Sequence, residues 1–64
     1  MMDRAKQYIE YLLMFSTDKE KTEAKLAEKL NNAKQEEWTV LAVDRLLEQG
    51  VYGFRIEAEK ELDA

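Results

Sequence analysis

The stretch WTVLAVDRLLEQGVYGFRI, Trp38 to Ile56, holds both glycines of a 64-residue chain that has no proline, so the fold turns on how it is read. Ala42, Val43, Leu46 and Leu47 recur at helical spacing, and Asp44, Arg45 and Glu48 fall on another side, which predicts a helix over about 35–49. Gly50 then supplies the left-handed position after the helix end, with Val51 folding back as its apolar companion. Beyond it, Val51, Phe54, Ala58 and Leu62 fit a last helix over about 52–62, at roughly 1 kcal/mol for Gly53 in its first turn. Tyr52, Phe54 and Ile56 also alternate as a strand would. A lone strand leaves its edges unpaired, so the helix is preferred.

Working outward, the rest of the chain is rich in Glu, Lys, Leu and Ala, all good helix formers. Thr17-Asp18-Lys19-Glu20 matches a capping box with Thr17 as N-cap, opening a helix over about 18–33 whose apolar stripe is Ala24, Leu26, Ala27 and Leu30. Asn31 and Asn32 predict fraying near Ala33. Lys21, Lys25 and Lys29 form a basic row along this helix, read as a wetted surface with Glu28 beside it. An N-terminal helix is placed over about 3–15. Its apolar groups, Tyr8, Ile9, Tyr11, Leu12, Leu13, Met14 and Phe15, nearly surround the rod, which is more than one neighbouring helix covers.

These segments predict an all-α fold, a single helical domain over 1–64, built as a three- or four-helix bundle and completed by homodimerisation. A chain of about 60 residues buries only roughly 60% of its unfolded surface, so a partner would add burial that the monomer lacks. The expected interface is Tyr8, Tyr11, Leu12 and Phe15 from the first helix, with Trp38 and Leu41 as a second part of it or a partner-binding face, unless Trp38 instead caps the monomer core. Tyr and Trp suit such a surface because they combine apolar area with a polar group.

The composition excludes more than it assigns. With no Cys and no His, disulfide frameworks, thiolate zinc sites and histidine acid–base chemistry are all removed. Glu36 and Glu37 are adjacent, hence about 100° apart on a helix, and are better read as first-turn carboxylates than as a catalytic pair. Glu57, Glu59, Glu61 and Asp63 alternate, which on a helix spreads them around the rod instead of focusing them on a cation. No catalytic residue, metal ligand or cofactor site is assigned. The longest apolar run, Leu12 to Phe15, is far too short for a membrane span, and no signal peptide is read at the start.

Net charge is −4, divided along the chain as zero over residues 1–16, −1 over 17–37 and −3 over 38–64. The acidic last third argues against a helix-turn-helix reader of DNA, leaving the lysine row as the only basic footprint. The function expected from sequence is therefore a cytoplasmic, acidic, non-catalytic regulator or adaptor that binds a protein target through a helical interface as a homo-oligomer. The alternatives are a small helical nucleic-acid-binding regulator or a structural subunit of a larger assembly.

Overall fold

The computed structural model describes residues 5–62, and its element order is β1 (Lys6–Ser16), α1 (Lys19–Gln35), β2 (Thr39–Glu48) and β3 (Val51–Glu61). The fold is a small mixed α/β domain, and the helical bundle is overturned. Three of the four expected helices, over 3–15, 35–49 and 52–62, are replaced by strands, so there is no bundle for a second copy to complete. Asp3, the expected start of the first of them, lies outside the described residues.

The sheet order is β1-β3-β2, with both neighbours antiparallel to the central β3. β1 and β2 therefore run parallel on the two edges, joined by α1, and β3 is inserted between them. The stretch that decides the fold is a β-hairpin. Gln49 and Gly50 both have positive φ, 51° and 80°, the requirement of a two-residue turn whose twist matches antiparallel strands. Gly50 thus closes a hairpin instead of ending a helix.

Side-chain alternation explains why strands prevail. In β1, Ile9, Tyr11 and Leu13 pair with Ala58, Ile56 and Phe54 of β3 and face the helix, while Tyr8, Glu10, Leu12 and Met14 face away. An apolar set that would encircle a helix is here a strand with apolar groups on both faces. Tyr, Ile and Phe also fit a pleated, half-buried surface well. In β3, Phe54, Ile56 and Ala58 point inward and are buried, and Arg55, Glu57, Glu59 and Glu61 point outward.

The helix, expected over 18–33, starts one residue later, at Lys19, and runs two residues further, and its cap is one residue later than expected. The Asp18 carboxylate accepts from the backbone N–H groups of Glu20 (2.9 Å) and Lys21 (3.4 Å). Thr22 and Leu26 are its buried residues, whereas Ala24 and Ala27 are exposed. At the other end, Trp38 N–H donates to Ala33 carbonyl (2.9 Å) and Glu37 N–H to Lys34 carbonyl (3.1 Å), with Glu37 at φ 67°. This is a Schellman stop in which a glutamate holds the left-handed position, so the helix ends after Gln35 and not near Ala33.

The core is small: Leu26, Phe54, Ile56 and Ala58, flanked by half-buried Leu13, Leu30 and Val43. About 25 Å of helix lies over strands about 36 Å long, so both ends of the inner sheet face stay partly open. The molecule is a slab of 50 × 20 × 12 Å. Its radius of gyration is 14.1 Å, against about 11 Å for a compact chain of this length. Among the described residues, no helix is long and apolar enough to cross a membrane.

Candidate functional site

The face of the sheet away from α1 has no covering layer among the described residues. At its centre, Arg55 links all three strands: Nη1 to Asp44 Oδ2 of β2 (2.7 Å), Nη2 to Glu10 Oε2 of β1 (2.6 Å) and Nη2 to Glu57 Oε2 of β3 (2.8 Å). The Tyr8 hydroxyl donates to Glu57 on the same face. That hydrogen bond, with Arg55 beside it, holds the Glu57 carboxyl below its ordinary range, and it pushes the Tyr8 phenol up. The guanidinium is raised further by its carboxylates, Glu10 first.

Alternation thus has the opposite consequence to the one expected on a helix. Glu57, Glu59 and Glu61 share one face of β3, where Lys6 reaches Glu59 (3.6 Å), and Asp63 lies outside the described residues. With Glu10, Asp44 and Glu48 there are six carboxylates here against Lys6 and Arg55, which makes −4. The whole chain also sums to −4. The helix and the sheet face beneath it carry seven cations against six carboxylates among the described residues, so the charge is segregated by face. Even so, no group of three or more Asp or Glu is arranged to hold a metal ion among the described residues.

On the helix side, three aromatic rings lie along the opening between α1 and the sheet, each with a lysine ammonium above it. Lys25 sits 5.8 Å from the Phe15 centroid, Lys29 5.5 Å from Tyr11 and Lys60 5.5 Å from Trp38. Tyr11 also stacks on the buried Phe54, with centroids 6.1 Å apart. A hollow of about 150 Å³ separates Tyr11 from Trp38, floored by Ile56 and Ala58. A shallower one of about 340 Å³ lies between Phe15 and the first half of the helix, at Lys21, Ala24 and Lys25. Lys25 also pairs with Glu28 (3.0 Å), which lowers that carboxyl.

The six residues expected to form one interface are thereby distributed over three places. Tyr8 and Leu12 stand on the open face, Tyr11, Phe15 and Trp38 on the helix side, and Leu41 at the irregularity where the β2–β3 register shifts between Val40 and Ala42. None of them is on α1, so an all-helical interaction surface is overturned. Arg55 was missed altogether. Its signal was the alternation of Phe54, Ile56 and Ala58 with Arg55, Glu57 and Glu59, a period of two that a helix does not produce. Compared with known proteins, the chain matches no family model, no curated protein and no solved structure.

Proposed function

We propose that this chain is a self-associating, non-catalytic subunit in which a second copy pairs along the exposed edge of β1 and joins two sheets into one. The observation that carries this is the contrast between the two edges. In β2 the ladder shifts at Leu41, and Asp44, Arg45 and Glu48 interrupt the strand; bulges and charges are the usual devices that blunt an edge. In β1 the shift falls at the end, between Met14 and Ser16, leaving Lys6–Met14 regular with only Lys6 and Glu10 charged. Antiparallel pairing about Tyr11 overlaps the whole strand and sets Ile9 opposite Leu13 twice.

Burial supports the same reading. Leu12 is 57% exposed and Tyr8 54% exposed on β1, and only four apolar residues are buried among the described residues. Sedimentation equilibrium from about 1 to 200 μM, a range in which weak strand pairing populates both species, should show a mass above the 7.5 kDa monomer that rises with concentration. Leu12→Lys with Tyr8→Lys, which places charge on the edge, should return a monomer with unchanged circular dichroism. A wild-type mass of one chain throughout the range would defeat the proposal.

A further inference from the structure

We propose that the row of ring–lysine pairs on the helix side is a binding platform for single-stranded nucleic acid, with bases stacking on Tyr11 and Trp38 and phosphates meeting Lys25, Lys29 and Lys60. Proteins that hold single strands without sequence preference combine aromatic faces with cations that follow the backbone. Both are present here on one surface: Phe15, Tyr11 and Trp38, each with its ammonium within 5.8 Å.

The sequence-level objection was the acidity of residues 38–64. The fold removes most of it, because Asp44, Glu48, Glu57, Glu59 and Glu61 all stand on the opposite face of the sheet. Charges separated by more than about 8 Å are largely screened at physiological salt, so that face repels the strand weakly. From the same acidic segment, the two charged residues on the helix side, Arg45 and Lys60, are both cations.

Trp38 is held in place for this role. It follows the left-handed Glu37 and donates its backbone N–H to Ala33, which sets its backbone at the end of the helix, and its side chain lines the hollow beside Ala33 and Glu36. The hollow between Tyr11 and Trp38 gives a base an apolar floor of Ile56 and Ala58. Glu36 at this hollow and Glu28 at the other oppose an anion, so binding is weak and strongly salt-dependent. All the platform's residues belong to one copy, so a monomer suffices to form it and the proposal does not rest on pairing along the β1 edge.

Trp38 is the only tryptophan, which gives a direct probe. Titration with a dT oligomer of about 12 nucleotides, long enough to span the roughly 4–16 nucleotides such sites take, should quench its fluorescence. With three phosphate contacts, the slope of log K against log salt should be about −2, so affinity falls about 100-fold for a tenfold rise in salt. Lys29→Ala and Lys60→Ala should each weaken binding several-fold and shallow the slope by about 0.7. Lys6→Ala, an equal loss of charge on the opposite face, should leave it unchanged. Three results would overturn the proposal: no quenching at low salt, equal loss in Lys6→Ala and Lys29→Ala, or quenching by heparin or by a duplex of the same length equal to that by the single strand.

Discussion

Glu37 occupies a conformation that side chains other than glycine or asparagine rarely adopt, with φ at 67°. The left-handed region costs an L-residue roughly 1–2 kcal/mol, and here it is enforced by the two backbone hydrogen bonds that end α1. Replacing Glu37 by Gly removes the Cβ that opposes this geometry, while adding flexibility to the unfolded chain. Glu37→Gly is therefore expected to stabilise the protein by about 0.5–1 kcal/mol, read as a higher urea midpoint with an unchanged slope. A neutral or destabilising result would show that the Glu37 side chain contributes something its backbone does not reveal. Nothing at this position was visible in sequence, because Glu is an ordinary helix residue and Asn31-Asn32 offers a more conventional place to stop.

At the scale of elements, Gly53 shows what a central strand requires. It pairs with Met14 of β1 and Leu46 of β2. A Cβ there would overlap the Leu13 backbone carbonyl and come within 2.6 Å of Met14 Sδ, so the two strands approach because this residue has no side chain. Gly53→Ala should destabilise by about 1–3 kcal/mol through forced displacement of β1, checked by chemical denaturation. An unchanged midpoint would mean that β1 can slide at no cost. From sequence, the same glycine is only a modest penalty in the first turn of a helix. Short segments rich in apolar residues, such as Tyr8–Phe15, satisfy both periods, and only partners decide between them. The α1 segment was legible because its Thr17–Glu20 capping signal and its run of Lys, Glu, Ala and Leu need no tertiary support to be recognised, although the cap itself falls on Asp18.

At the scale of the molecule, the open face is held by a network that spans all three strands through Arg55. The Glu57, Glu23 and Glu28 carboxyls are all depressed below 4.5, by the Tyr8 hydroxyl, Arg45 and Lys25 respectively as first causes. A depressed carboxyl contributes stability that is complete above its unfolded value and is lost as pH falls through the folded one. The Tyr8 phenol is raised above 10, so its contribution is present below that value and is lost only as pH climbs past it. Thermal unfolding should accordingly show a plateau from about pH 5 to about pH 9 and a fall in Tm below about pH 4.5. Arg55→Leu should lower the plateau, more so at low salt, because it leaves Glu10, Asp44 and Glu57 facing one another. A Tm that stays level down to pH 3 would show that these ion pairs do not contribute to stability.

By itself, the amino-acid sequence determined the chain's acidity, the absence of thiol and imidazole chemistry, the helix after Asp18 and an apolar content too dispersed for one small core. Those are properties of residue types and of local spacing, which do not depend on what lies across from them. The strand identity of residues 6–16, 39–48 and 51–61, the clustering of Arg55 with three carboxylates and the placing of lysines over rings were decided only by tertiary structure. Each joins residues far apart in the chain, and a strand's preference is settled by the neighbours that complete its hydrogen bonds. Once β3 lies between β1 and β2, a period of two sends its carboxylates to one side and Phe54, Ile56 and Ala58 to the other. A linear count of charge cannot anticipate that division.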